Sequence, residues 1–242
     1  MEWKEVRLGD VCNIITGFPF PGKKYSKEGI RVVRGDNVTI GNLRWDTEKD
    51  KRWNEPFDKT EYYSLQANDI VIGMDGSRVG KNKARIKEED LPLLLAQRVA
   101  CVRHNELAEQ DYLYYNIFSK KFIDYVNSIH TGSAIPHISQ KQIEDYKILL
   151  PNLETQRRIP FLIGLSRQTR VLTLQNFAVG MGFIVVGVYL ATVGGITPVG
   201  AALLHTVSSL MVIFNSARLV RSGELLQASD KASSALQEAP VA

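Results

Sequence analysis

Apolar and polar positions change rhythm several times along the chain, and each rhythm predicts an element. Near the start, apolar residues fall at Trp3, Val6, Leu8, Val11, Ile14 and Ile15, and the Leu8-Gly9-Asp10 interruption divides them into two short elements. Residues 16–22, Thr-Gly-Phe-Pro-Phe-Pro-Gly, are dense in turn formers and read as a loop. Arg31-Val32-Val33-Arg34 reads as a strand leading to a Gly35-Asp36-Asn37 turn, and Asp69-Ile70-Val71-Ile72 as a buried strand. The latter runs into Gly73-Met74-Asp75-Gly76-Ser77-Arg78-Val79-Gly80-Lys81; Val99-Ala100-Cys101-Val102-Arg103 is a further strand. Over residues 111–129, Leu113, Ile117, Phe118, Phe122, Tyr125 and Val126 share one helical face, with Ser119, Lys120, Lys121 and Asp124 largely on the other. That spacing predicts one amphipathic helix packed on a sheet, ended by Gly132. Ser139 is placed to cap a short helix through Asp145. Tyr146 to Leu150 reads as a strand, and Asn152 is placed to cap a helix that Pro160 interrupts.

After Arg170 the alternation stops. No Lys, Arg, Asp or Glu stands between Arg170 and Arg218. Residues 171–193 and 199–217 are two apolar spans, separated by Gly194-Gly195-Ile196-Thr197-Pro198. Each has the length of about 20 residues that crosses a bilayer as a helix. Arg167 and Arg170 precede the first span and Arg218 and Arg221 follow the second, so both ends are expected on the cytoplasmic side. The alternative is a buried helical hairpin of a soluble protein. Residues 222–242, rich in Ala, Ser and Gln, read as an unstructured tail.

Composition adds little to this division. A hydrophobic content of 44% and a charged content of 23% are ordinary for a globular chain. The net charge of +4 permits a polyanionic partner without requiring one. Cys12 and Cys101, far apart, suggest reduced thiols rather than a disulfide scaffold. The start, Met-Glu-Trp-Lys-Glu, is not expected to be a signal peptide.

Candidate chemistry narrows by elimination. The Gly73–Lys81 stretch has the look of a phosphate-binding loop, but Asp75 stands where a Gly is needed and Asn82 follows the Lys, which argues against nucleotide hydrolysis. Its glycines, Ser77, Arg78 and Lys81 suit either contact with nucleic-acid phosphates or a solvated turn. Asn54-Glu55-Pro56-Phe57 departs from the amino-methyltransferase motif at its second position. His130 and His137 lack the partners of a zinc site, and no strained nucleophile turn surrounds Ser133 or Ser139. The polar segment His130-Thr131-Gly132-Ser133-Ala134-Ile135-Pro136-His137-Ile138-Ser139 therefore reads as a binding or junction loop. Trp45, Trp53, Tyr62 and Tyr63 lie among Arg44, Lys49, Lys51, Arg52 and Lys59, a pattern shared by nucleic-acid surfaces and by partly exposed structural clusters.

In combination, three groups of residues resemble the target recognition domain of a type I restriction–modification specificity subunit over about residues 3–159. They are Trp3…Val6…Leu8-Gly9-Asp10-Val11…Thr16-Gly17; Leu65…Asp69-Ile70-Val71-Ile72…Gly76…Val79-Gly80-Lys81; and Thr131-Gly132-Ser133…Pro136-His137-Ile138-Ser139…Leu150-Pro151…Gln156-Arg157-Arg158-Ile159. The resemblance implies an α/β (α+β) domain that reads one half of a split target in double-stranded DNA. It implies no catalytic site, cofactor or metal in the chain itself; partner subunits for methylation, using S-adenosylmethionine, and for translocation supply the chemistry. Residues expected at DNA are Arg34, Asn37, Arg44, Ser77, Arg78, Lys81, Thr131, Ser133, His137 and Gln140. The family joins two such domains by long helices, so self-pairing of two copies would supply the second reader, and a helix broken at Pro160 would impair recruitment of partners. The implied location is cytoplasmic.

The remainder resembles another family. Leu165-Ser166-Arg167-Gln168-Thr169-Arg170…Gln175-Asn176 and His205…Ser208-Ser209-Leu210…Asn215-Ser216-Ala217-Arg218-Leu219 are similar to the last two transmembrane helices of a heavy-metal P-type ATPase, over about residues 163–221. The expected organisation is thus a recognition domain at 1–159, an all-α transmembrane hairpin at 160–221 in contact with the lipid bilayer, and the tail. Three functions fit it: a DNA specificity module with a foreign hairpin, a membrane-anchored DNA-binding protein at the inner membrane, or a transporter remnant without transport activity.

Overall fold

The computed structural model describes residues 3–56, 58–130 and 136–237, with side chains through residue 218. The chain divides into two units, Met1–Pro160 and Phe161–Ala242. The first unit opens with β1 (Lys4–Arg7), the one-turn helix α1 (Leu8–Val11) and β2 (Cys12–Thr16). The interruption at Leu8-Gly9-Asp10 is therefore helical. Asp10 closes that turn by accepting from the Arg7 backbone N–H at 3.3 Å and pairing with its guanidinium at 2.8 Å. Next come β3 (Ile30–Val33), β4 (Ile40–Gly41), β5 (Arg52–Trp53), the single turn α2 (Thr60–Tyr63), β6 (Ile70–Gly73), β7 (Lys83–Arg85), β8 (Leu93–Leu95) and β9 (Val99–His104). The unit ends with α3 (Gln110–Ile117), α4 (Lys120–Ile129), α5 (Gln140–Glu144), β10 (Lys147–Leu150) and the start of α6 (Leu153–Thr192).

Five strands form the main sheet in the order β2-β9-β6-β7-β4, antiparallel except for the parallel β4–β7 edge. Alternation along its central strands feeds two separate cores, because successive side chains of a strand point to opposite faces. Ile70, Ile72, Ala100 and Val102 meet Leu8, Leu113, Ile117, Phe122 and Ile143 on the helical side. Val71, Val99 and Cys101 meet Val33, Leu93 and Leu95 on the other. A second sheet, β5-β3-β8, carries a third cluster of Phe20, Val32, Trp53, Leu94 and Ala96. β1 pairs antiparallel with β10, so the start of the chain is fastened beside the segment that precedes α6.

The helix expected over residues 111–129 is two helices. The apolar stripe runs on from Ile117 and Phe118 to Phe122, but the backbone breaks at Phe118-Ser119. Ser119 sits at that break, its Oγ accepting from Phe122 N at 3.2 Å to cap α4. Ser139 caps α5 as expected, accepting from Gln142 N at 3.2 Å, and Asn152 caps α6 by accepting from Thr155 N at 2.9 Å. Pro160 does not break α6. Its missing N–H forfeits one backbone bond, a defect of about 3 kcal/mol in a helix interior, while its ring is buried. Thr131, Gly132 and Ser133 lie outside the described residues.

The second unit contains the rest of α6 and α7 (Pro198–Gln237). Both helices exceed the apolar spans 171–193 and 199–217, and α7 continues through Gln237 where composition reads as an unstructured tail. Polar residues meet between the helices: Asn176 Nδ2 donates to Ser216 Oγ, and Asn215 Nδ2 donates to Asn176 Oδ1, each at 2.8 Å. A half-buried seam that includes Leu172, Val179, Phe183 and Leu190 runs along α6, while Leu174, Phe177, Ile184, Tyr189, Val199 and Phe214 are exposed.

Candidate nucleic-acid interface

The site is built on the loop after β6. Val79 N–H donates to Gly76 O, and Lys81 N–H and Asn82 N–H both donate to Arg78 O, each at 3.0 Å, making two successive tight turns. Gly76 (φ +98) and Gly80 (φ +79) occupy the left-handed region those turns demand. A Cβ at Gly80 would also stand 2.8 Å from Val126 Cγ1 on α4. The glycine spacing that gives this loop its phosphate-loop look thus serves chain reversal and close packing. It leaves Ser77 and Arg78 exposed at the tip.

Backbone bonds tie this loop to two distant segments. Met74 N–H donates to Arg98 O, Ile138 N–H to Met74 O and Gly76 N–H to Pro136 O, all at 2.9 Å, and Asp75 forms a β-bridge with His137. Beside this junction lies an open cleft of about 760 Å³ whose walls include Arg34, Arg44, Ser77, Arg78 and Arg98. Four arginines there face two aspartates, Asp36 and Asp75, which leaves a positive lining. The Arg34 guanidinium lies over the Tyr25 ring, 5.7 Å from its centroid. Burial pushes the Tyr25 hydroxyl above its ordinary pKa, with Arg34 opposing, so the phenol stays neutral. Arg44 Nη2 donates to Asp36 O at 3.4 Å. Arg98 Nη1 donates to Asp75 Oδ2 at 2.7 Å.

The expected DNA residues separate accordingly. Arg34, Arg44, Ser77 and Arg78 converge on the cleft. Lys81 is exposed on the same loop but off the cleft wall, and His137 is exposed on the adjoining segment. Asn37 is fully buried. Its Oδ1 accepts from Arg34 N at 3.0 Å while Nδ2 donates to Arg44 O at 3.1 Å and Lys49 O at 3.0 Å, so its amide holds the loop that presents the two arginines and has nothing left for a base. The Gln140 amide is likewise engaged inside the fold, Nε2 donating to Ile14 O at 3.0 Å and to Glu144 Oε1 at 2.8 Å. Trp53 packs in the third core against Phe20, with ring centroids 4.9 Å apart, and is not a stacking platform; Trp45 is half-buried beneath Arg31. Sequence reasoning missed Arg98, Gln97 and Asp75. The available signal was the polar Gln97-Arg98 pair interrupting an apolar run from Leu93 to Val102.

Burial alters the acidity of Lys83, Cys12 and Cys101. Lys83, 3% exposed, donates to Gly80 O at 2.7 Å with its ammonium 4.9 Å from the Phe122 ring centroid. Burial lowers its pKa to about 8. Burial raises Cys12 to about 12 and Cys101 well above its ordinary value, so both thiols stay protonated.

The type I restriction modification DNA specificity domain profile matches residues 1–164. The chain belongs to this family. It is 34% identical over 171 residues to the type I restriction enzyme EcoAI specificity subunit of Escherichia coli, covering 65% of this chain and 27% of that protein. It is 28% identical over 159 residues to the MjaVIII specificity subunit of Methanocaldococcus jannaschii, covering 64% of this chain and 37% of that protein. The chain thus spans well under half the length of these relatives. A 64-residue stretch, 26% of the chain, is 45% identical to nitrogen fixation protein FixI of Rhizobium meliloti and covers 8% of it. In fold, the chain matches one from a structure of type I restriction–modification complex assembly with a TM-score of 0.50 at 18% identity, covering 91% of this chain and 44% of that one.

Proposed function

We propose that the first unit is a non-catalytic module that reads one half of a split target in double-stranded DNA for a type I restriction–modification system. The observation that carries this reading is the convergence of Arg34, Arg44, Arg78 and Arg98 on one open cleft in a chain of the specificity-domain family. Guanidinium groups suit phosphates because they are always charged and offer several donors in a plane. Arg34, Arg44 and Arg78 hold the backbone and fix register, Ser77 adds a hydroxyl donor, and Lys81 and His137 extend the surface along the same loops. Thr131 and Ser133 belong to the segment that leads to His137 and remain candidates for contact. Methylation and translocation subunits are the partners this reading calls for, recruited along the start of α6.

The test is a selection. The full chain, held in non-ionic detergent, is incubated with a pool of random duplexes, and the bound fraction is sequenced. Enrichment of one short motif is expected, and uniform recovery of all sequences overturns the reading.

A second reading concerns the second unit, and its outward apolar residues favour it. The α6–α7 pair inserts in a bilayer across residues 171–193 and 199–217, as a hairpin derived from a heavy-metal P-type ATPase. Both helices are long and apolar enough for this, and outward apolar side chains are what lipid accepts and water does not. The bonds of Asn176 to Ser216 and Asn215 suit the same setting, because polar groups in hydrocarbon pair with one another. The hairpin then tethers the recognition unit to the inner membrane without transporting an ion.

A further inference from the structure

Arg98 differs from the other cleft arginines in its backbone as well as its partner. It holds φ +66, a left-handed conformation that a bulky side chain adopts at a cost and that Gly or Asn adopts readily. Its carbonyl accepts Met74 N–H at 2.9 Å, which fixes the turn between β8 and β9 against the glycine loop. The side chain then leaves the protein: 71% of it is exposed, against 25% for the Asp75 carboxylate that holds it. The backbone of Asp75 is itself fixed by its β-bridge to His137. A strained backbone, a carboxylate partner on an anchored strand-like segment and an outstretched guanidinium on a cleft wall describe a side chain aimed at a ligand, not one packing the fold.

We propose that Arg98 is a sequence-reading residue of the DNA site, held by Asp75 to address a guanine. Asp75 occupies Nη1, which leaves Nη2 and Nε as a planar pair of donors. That pair matches the O6 and N7 acceptors of a guanine edge in the major groove, the commonest specific arginine contact with DNA. Arg34, Arg44 and Arg78 meet phosphates that every sequence offers, so the role of Arg98 is separable from theirs. The inference rests on the DNA-binding reading above, and the two fail differently: absence of any enriched motif with the native chain removes that reading, whereas the outcomes below decide Arg98 alone.

The experiment compares native, Arg98→Asn, Asp75→Asn and Arg78→Ala full chains in the duplex selection, followed by titration of the winning duplex and its single-base variants. Asn tolerates the left-handed backbone, so Arg98→Asn keeps the fold, verified by its unfolding profile. The expected result is that Arg98→Asn loses preference at a single G·C position, a discrimination of roughly 5- to 150-fold in the native chain. Asp75→Asn weakens the same preference, Arg78→Ala weakens binding evenly, and neither moves the preference at other positions. If Arg98→Asn retains the native motif at every position, or loses affinity evenly for all sequences, Arg98 is not a reader. If Asp75→Asn leaves the G·C preference at its native strength, Asp75 does not position it.

Discussion

Removing Arg44 and Arg78 together tests the phosphate-binding role of the cleft in a quantity that structural damage does not imitate. Three arginines of the lining, Arg34, Arg44 and Arg78, are assigned to phosphates. Counterion release gives a slope of about −0.9 in log K against log salt for each duplex phosphate neutralised, so three contacts predict about −2.7. Raising salt from 50 to 200 mM then weakens binding about 40-fold. The Arg44→Ala/Arg78→Ala chain keeps one contact, and its slope falls to about −0.9, with a loss of only ~3.5-fold over the same range. Fluorescence anisotropy of a labelled duplex, titrated with the full chain in non-ionic detergent at several salt concentrations, reads both slopes. Lys120→Ala is the control: Lys120 is 85% exposed, lies on α4 and pairs with Asp124 at 2.6 Å. An unchanged slope in the double variant, or an equal drop for Lys120→Ala, refutes the assignment of these arginines to phosphates.

Three further outcomes follow from the fold. All tryptophans of the chain, Trp3, Trp45 and Trp53, lie in the first unit, so tryptophan fluorescence during denaturation reports that unit. Burial lowers the Lys83 pKa to about 8 from 10.5; between those values this group binds more protons in the unfolded chain, so Lys83 contributes a rise in stability with pH of about 3 kcal/mol, opposed above the ordinary thiol pKa by buried Cys12 and Cys101. Lys83→Met removes that rise, and parallel pH profiles for the two chains would contradict it. The Gln156 side chain accepts from Glu109 N at 2.9 Å and donates to Leu107 O at 3.1 Å and Pro151 O at 2.9 Å. Gln156→Leu strands those three groups and is expected to cost roughly 3 kcal/mol in the same unfolding measurement, given about 1–3 kcal/mol per buried unpaired group; a midpoint within error of native counts against the anchoring of α6 by Gln156. In cell fractionation the full chain should sediment with membranes, resist extraction by salt and dissolve in detergent; recovery of the intact chain in the soluble fraction refutes the hairpin reading.

The parts of this protein legible in its sequence are those where one local rule decides. Ile70 to Ile72 form a strand because both faces of β6 are covered, and Ser139 and Asn152 cap helices because each supplies an acceptor within reach of an orphan N–H. The change of character after Arg170 follows from the disappearance of charge, which needs no structure to detect. Legibility fails where a tertiary partner decides. Asn37 carries the side chain of a base reader, yet two carbonyls brought in from positions 44 and 49 consume its amide. Pro160 carries the mark of a helix end, yet α6 passes through it. Arg98 is the converse case. Neither Gly nor Asn marks its left-handed turn, and the carboxylate that holds it is 23 positions earlier in the chain. An amide spent on the fold and an arginine held against its own backbone preference are indistinguishable by residue type. They differ in who satisfies whom: Asn37 gives all its hydrogen bonds inward, whereas Asp75 engages only one arm of Arg98 and leaves the rest of the guanidinium facing the cleft. Hydrogen-bonding capacity left over after the fold is satisfied is therefore the quantity that separates a reader from a scaffold here, and it ranks Arg98 above Asn37 as the residue to alter first.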